Sequence, residues 1–307
     1  MKINFTHDLA LVNGLKIPPK LLGQLNEFKI EKSNHFNLKQ SLTKDGYIFV
    51  RNLFDKNKIK LARDEVFMRL KEVDEIEDPY QDGIYSGRSS RDKIYTNRGE
   101  FWKSVSNGKY LREITNGKVL KKIISDIFGE PSIGFDFLFL RPVANGKFTQ
   151  MHCDTSFFTR KTKKVLTCWI SFTNVTIDKG PLFVIENSHK FNDIKEKFDG
   201  FDVGIDKNRK ASIEEHPSEF AKKRNSKILT SNFYPGDILI FGMNLIHGSF
   251  EHHSKDKNIR LTCDVRYQPI AEPKDSRYFG KNPGGTTGSG YGELNSARPL
   301  NEDWHIR

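Results

Sequence analysis

The stretch FTQMHCDTSFF, residues 148–158, holds the chain's one His-x-Asp triplet, His152-Cys153-Asp154. Imidazole nitrogen and carboxylate oxygen both ligate metals, and on an extended strand residues i and i+2 project from the same face. His152 and Asp154 can therefore converge on one ion while Cys153 points away. The triplet alone says little, because nine histidines at ordinary Asp frequency yield roughly 0.6 such triplets by chance. It needs partners.

The third ligand is expected to be His247. It leaves the run YPGDILIFGMNLIHGS, in which Pro235-Gly236-Asp237 reads as a turn, residues 238–241 as a buried strand and His247-Gly248-Ser249 as the exit. Two histidines and a carboxylate are the donor set of non-haem Fe(II) oxygenases, which keep their remaining coordination positions open. The same residues around a metal-bound water would suit a zinc hydrolase. Thirteen residues after His247, Arg260 opens IRLTCDVRYQP, where a guanidinium can grip a carboxylate through two parallel hydrogen bonds.

Such a set needs a rigid scaffold. SLTKDGYIFVRNLF gives a strand at Tyr47–Val50, and Asp55 is placed to cap the helix KNKIKLARDEVFMRLKEV. An acidic, irregular stretch, residues 74–102, separates it from a second helical pattern, LREITNGKVLKKIISDIFGE, closed by Gly129-Glu130-Pro131. From Ser132 the texture changes to short β-rich runs: IGFDFLFLRP, KFTQMHCDTSFF, VLTCWISFTNV, GPLFVIENSHK, DILIFGMNLIHGS and IRLTCDVRYQP. The pattern predicts a mainly β, α+β protein, a sandwich or barrel with a helical N-terminal layer. The organisation expected is one domain over 1–307: helical layer 1–131, β core 132–270 with a basic insert at 190–227, and an irregular, surface-following tail at 271–307 rich in Gly and Pro.

Composition narrows the classes. Thirty-six per cent hydrophobic residues with 24 phenylalanines is that of a folded globular chain. The net charge of +11 comes from scattered lysines with acids among them, which reads as a solvated surface rather than a nucleic-acid site, and leaves an anionic small substrate open. Cys153, Cys168 and Cys263 lack CxxC spacing, so no disulfide framework is implied. No apolar run of membrane length and no signal-peptide pattern is present; a cytoplasmic protein without a membrane partner is expected, its oligomeric state unspecified.

His152-x-Asp154, His247 and Arg260, with CWISFTNVTIDKGPLFVIENSHK between them, YPGDILIF before the distal histidine and LTKDGYIFVRNLF near the start, resemble the phytanoyl-CoA dioxygenase family of Fe(II)- and 2-oxoglutarate-dependent oxygenases over about residues 40–270. The resemblance implies a double-stranded β-helix, a cupin-like jelly roll. It implies His152, Asp154 and His247 as iron ligands, and 2-oxoglutarate on the iron with its far carboxylate on Arg260. Ser249, Thr167 and Trp169 match positions lining the cosubstrate pocket. With O2 as second substrate, such an enzyme oxidises an unactivated C–H bond of a small molecule and releases succinate and CO2. The carboxylate at Asp154 favours hydroxylation over halogenation, since halogenating relatives carry a small residue there. Spacing after His247 departs from the family by about a residue, which keeps Arg266 as the alternative anchor, although six further residues of strand, about 20 Å, would set it far from the metal. A catalytically silent binding module and a nucleic-acid dealkylase are the remaining rivals.

Other candidates read less sharply. His252 and His253 are expected to be solvated in a polar loop, and His189 is a minor candidate for touching the site; His7, His35 and His216 carry no functional signal. Arg88, Arg91 and Arg98 are candidate anion binders over the barrel mouth, and the insert 190–227 a candidate lid. Phe157 and Phe158 would be pocket walls.

Overall fold

The computed structural model describes residues 9–30, 35–288, 290–293 and 297–302; His7 lies outside them. In chain order the strands are β1 (Leu11–Val12), β2 (Leu15–Lys16), β3 (Leu22–Gln24), β4 (Tyr47–Val50), β5 (Ser132–Gly134), β6 (Phe139–Val143), β7 (Leu166–Ser171), β8 (Leu182–Ile185), β9 (Ile228–Thr230), β10 (Ile238–Gly242), β11 (His247–Ser249) and β12 (Arg260–Pro269). The helices are α1 (His35–Asp45), α2 (Lys56–Glu72), α3 (Arg91–Ile94), α4 (Arg98–Ser106), α5 (Lys109–Thr115), α6 (Lys118–Phe128), α7 (Thr155–Phe158), α8 (Asn192–Phe198) and α9 (Pro217–Lys223).

Six strands form the larger sheet in the order β4-β10-β7-β12-β5, with β6 also paired to β12; β11-β8-β9-β3 form the smaller one. Apart from the parallel β3–β9 pair, neighbours in both sheets run antiparallel. Facing sheets wound in this way are the double-stranded β-helix that the motifs implied.

Register explains how one face of the larger sheet becomes a site. Directly opposed residues share a face, so Trp169 stands with Leu239 and Asp264, Thr167 with Phe241 and Arg266, and Thr262 with Arg141. Toward β4 and β10 that inward face is apolar: Tyr47, Phe49, Leu239, Phe241 and Trp169 pack on Leu182, Val184 and Leu229 of the smaller sheet. Toward β12 and β6 it carries charge, and all of β12 is buried.

The opposite face is covered by helices. Ile48, Ile170, Ile240 and Val265 share one core with Ile59, Val66 and Leu70 of α2 and Leu120, Ile124 and Ile127 of α6. Each fully buried aliphatic side chain there contributes about 1.5–3 kcal/mol. Asp55 caps α2, accepting from the amides of Asn57 and Lys58 at 3.0 Å each. The Pro235-Gly236-Asp237 turn is locked by Asp237, which accepts from Arg51 Nη1 at 2.6 Å and from the Asn52 amide at 3.0 Å.

The structure departs from the sequence reading in four places. LREITNGKVLKKIISDIFGE is two helices, because the chain turns at Asn116-Gly117; a Cβ at 117 would lie 1.9 Å from the Glu113 carbonyl oxygen. Residues 148–151 are not strand, and α7 follows Asp154 at once. The insert packs helices α8 and α9 onto the body, burying Ile194, Phe198 and Phe220. In the irregular tail, Tyr278, Tyr291, Ala297 and Leu300 are buried, so it is anchored in the core rather than laid over the surface.

Candidate metal centre

His152, Asp154 and His247 come together as expected, all buried, each with a ligating atom within 4.8 Å of the others. They are not delivered by a two-ligand strand. His152 sits in single bridges to His247 on one side and to Ser212 of the insert on the other, with its amide donating to the His247 carbonyl at 2.9 Å. Asp154 has left extended geometry (φ −77°, ψ −8°) and starts α7. Cys153 therefore packs in the core instead of acting as an outward spacer, and burial pushes its thiol up to about 11.

Hydrogen bonds orient the ligands. His152 Nδ1 lies 2.8 Å from the Gln150 carbonyl oxygen and His247 Nδ1 3.0 Å from that of Leu245. A carbonyl only accepts, so each Nδ1 carries the proton and each Nε2 presents a lone pair. The Nε2 atoms stand 3.7 and 4.0 Å from Asp154 Oδ1. Burial pulls the His247 pKa below its ordinary value against the pull of Asp154, which keeps the ring neutral and able to ligate.

Asp154 divides its two oxygens. Oδ2 accepts from Thr167 Oγ1 at 2.5 Å and from Arg266 Nη2 at 2.9 Å. Oδ1 is buried and accepts no hydrogen bond among the described residues. Burial by itself would raise the pKa of this carboxyl, but the Arg266 guanidinium, with the Thr167 hydroxyl, outweighs it and holds it well below the usual carboxylate range. An ionised, buried oxygen aimed at two imidazole lone pairs is costly unless a cation sits between them. The donor set thus fits a divalent metal.

A cavity beside the cluster is lined by His152, His247, Trp169, Ser249, Arg141 and Arg260. Ser249 Oγ accepts from the Thr149 amide at 2.8 Å, and Trp169 also packs edge-on against Phe233. Arg260 is 2% exposed; its Nη1 donates to the Gly180 carbonyl and its Nε meets no acceptor. No carboxylate lies within ion-pairing reach of it among the described residues, and burial together with Arg141 pushes its pKa down to about 9. Arg141 instead donates to Asp264 through Nε at 2.6 Å. A buried cation short of a partner is what an anionic ligand would complete.

Arg266 is not the remote residue that strand length implied. It is the arginine on Asp154, because the ligands lie beside the middle of β12 and not at its start. Its guanidinium stacks between Phe139 (4.5 Å) and Phe158 (4.2 Å). Phe157 stands edge-on to His152. Thr167, expected on the cosubstrate, is bonded to Asp154.

Other expectations fail here. Arg91 is fully buried on Glu75 at 2.7 Å, and Arg98 is committed to Asp92 and Glu302, so neither is open to a substrate; Arg88, 3.4 Å from Glu77, stays exposed and free to meet one. His252 is buried, not solvated, with Nδ1 on the Asn145 side chain and Nε2 on the Asn258 carbonyl. His189 lies against the Thr43 carbonyl and is not among the clustered ligands. Arg141 and Asp264 lie outside the sequence candidates, although a charged residue inside FLFLRPV and the alternation Arg260, Thr262, Asp264, Arg266 mark a polar inward face.

Comparison with known proteins agrees with the fold. Superposable structures include the apo form of EctD from S. alaskensis (TM-score 0.55, 15% identity, 86% of this chain and 91% of that one). They also include the non-haem α-ketoglutarate-dependent carbocyclase SnoK (0.54, 14%, 81% and 88%) and epimerase SnoN (0.52, 15%, 78% and 83%), both from nogalamycin biosynthesis. At such identities the likeness is one of fold. The family model for phytanoyl-CoA dioxygenase matches residues 42–261, and the chain belongs to the phytanoyl-CoA dioxygenase family.

Proposed function

We propose that the protein is an Fe(II)- and 2-oxoglutarate-dependent oxygenase that hydroxylates an unactivated C–H bond of a small molecule. The observation that carries this reading is a His152, Asp154, His247 donor set whose two histidines border the same cavity as a buried arginine, Arg260, that makes no ion pair among the described residues, the cavity's own carboxylate, Asp264, being spent on Arg141. A metal hydrolase has use for the first and none for the second. Similar structures are described as non-haem and α-ketoglutarate-dependent, with one in complex with Fe3+ and α-ketoglutarate and another with 2-oxoglutarate and 5-hydroxyectoine. They include an epimerase and a carbocyclase, so hydroxylation is the finer part of the proposal.

In this reading His152 and His247 supply neutral nitrogens and Asp154 a single charge, leaving the rest of the metal's coordination to ligands that are not protein. Bound iron and 2-oxoglutarate supply the oxidising chemistry, with succinate and CO2 as by-products. Arg260 holds the far carboxylate of the cosubstrate, and Ser249 and Trp169 border it. Phe157 and Phe158 keep water from the reacting centre.

The test is succinate formation from 2-oxoglutarate with iron and oxygen each omitted in turn. Formation only when both are present supports the reading. Truncating Arg260 to Ala should weaken cosubstrate binding about 30-fold or more, the equivalent of ~2 kcal/mol for losing a buried charged partner. Turnover that needs no oxygen, or an Arg260→Ala variant with unchanged 2-oxoglutarate dependence, would count against it.

A further inference from the structure

We propose that Thr167 and Arg266 are positioning residues of the metal site: together they occupy Asp154 Oδ2 and leave Oδ1 as the single oxygen offered to the metal. The inference rests on the metal reading above and assigns roles that the motif comparison did not, since Thr167 was expected on the cosubstrate and Arg266 as a substitute anchor.

A carboxylate can bind a metal through one oxygen or both, and an unrestrained one rotates between those modes. Asp154 has unusual need of restraint. Asp55, at the start of α2, spends its carboxylate on helix amides, whereas Asp154, at the start of α7, makes no side-chain cap. Its main chain is fixed, with the carbonyl accepting from Phe157 and Phe158 at 3.1 and 3.2 Å, but nothing on its own element holds the side chain.

The restraint comes from across the barrel. Thr167 on β7 and Arg266 on β12 are directly opposed in the antiparallel register, so one cross-strand pair delivers an O–H and an N–H to the same oxygen. The guanidinium cannot swing away. It is stacked between Phe139 and Phe158, and its Nη1 lies 3.7 Å from Asp264. Two donors on Oδ2 remove that oxygen from competition for the metal and turn Oδ1 toward the two Nε2 atoms. Donors of this outer kind typically change metal affinity by about 10–100-fold.

The experiment measures anaerobic Co(II) titration of the apo chain, following affinity and the cobalt absorption spectrum, which reports coordination geometry independently of turnover. Thr167→Val preserves side-chain shape and removes the hydroxyl; Thr167→Ser restores it; Arg266→Gln removes the charge. Expected are one cobalt per wild-type chain, affinity lowered about 10–100-fold with an altered spectrum in Thr167→Val, wild-type behaviour in Thr167→Ser, and a larger loss in Arg266→Gln. Thermal unfolding of apo Thr167→Val close to wild type separates positioning from folding. Wild-type affinity and spectrum in Thr167→Val and Arg266→Gln would overturn the clamp alone. A wild-type chain that takes up no cobalt would overturn the metal reading and the clamp with it.

Discussion

Two buried arginine–carboxylate pairs in this molecule look alike at first. Arg91 meets Glu75 at 2.7 Å and Arg266 meets Asp154 at 2.9 Å; both arginines are shut from solvent, and both stack on two aromatic rings. They differ in what is left over. Glu75 uses both oxygens, one on Arg91 and one on Ser89, so the pair is closed. Asp154 keeps one oxygen unbonded and turns it to two imidazoles. Burial raises the Glu75 pKa against Arg91 and Ser89, whereas at Asp154 the Arg266 guanidinium, with the Thr167 hydroxyl, wins. The histidines repeat the contrast: His252 has both ring nitrogens on protein partners, while His247 spends one on a carbonyl and aims the other at Asp154. Burial and ion pairing alone do not mark a site; a buried carboxylate oxygen left unbonded and facing two imidazole nitrogens does.

The sharpest break between the pairs is expected at Asp154. Asp154→Ala should abolish metal uptake and turnover, and by stranding Arg266 should also cost about 3–5 kcal/mol of apo stability. A variant that still binds one metal at wild-type strength would erase the distinction. At the closed pair, Arg91→Met should lower stability by a similar ~3–5 kcal/mol, read by urea denaturation, yet leave activity per folded molecule unchanged. A fall in specific activity at undiminished stability would show Arg91 to be part of the site.

His252 tests the closed class through pH. Burial pushes its pKa down to about 4 from an ordinary 6.5, so the folded state disfavours protonation relative to the unfolded chain. Its contribution is present above pH 6.5 and drains away as pH falls toward 4, by roughly 3 kcal/mol in full. His252→Asn should flatten the dependence of unfolding free energy on pH in that window; an unchanged slope would place the cause elsewhere. The smallest effect is expected at Arg88, whose 3.4 Å contact with Glu77 is exposed. Arg88→Ala should stay within about 0.5 kcal/mol and keep wild-type kinetics, and a large rise in KM would revive it as a substrate contact.

Legibility in the sequence follows the same division. His152, Asp154 and His247 were readable because the donor types and the β-rich texture around them are local signals, and so were β4, the Asp55 cap and β12. The partners of Arg91 were not, because Ala297, whose carbonyl it contacts, is 206 residues away. The turn into α7 was hidden for a similar reason. β-prone residues on either side of His152 suggest a strand, but the chain there pairs only through single bridges, to His247 and to Ser212 in the insert. The contacts of Thr167 and Arg266 with Asp154 carry no local signal, since a cross-strand register decides whom they touch.

The central claim is that one cavity holds both a metal and 2-oxoglutarate. Its most direct test is an anaerobic titration of the apo chain with Fe(II) and then 2-oxoglutarate, followed by visible absorption. The account predicts a charge-transfer band that grows to one equivalent of each, is absent in His247→Ala, and requires a much higher 2-oxoglutarate concentration in Arg260→Ala. An iron-loaded wild-type chain that develops no such band at saturating 2-oxoglutarate would contradict it.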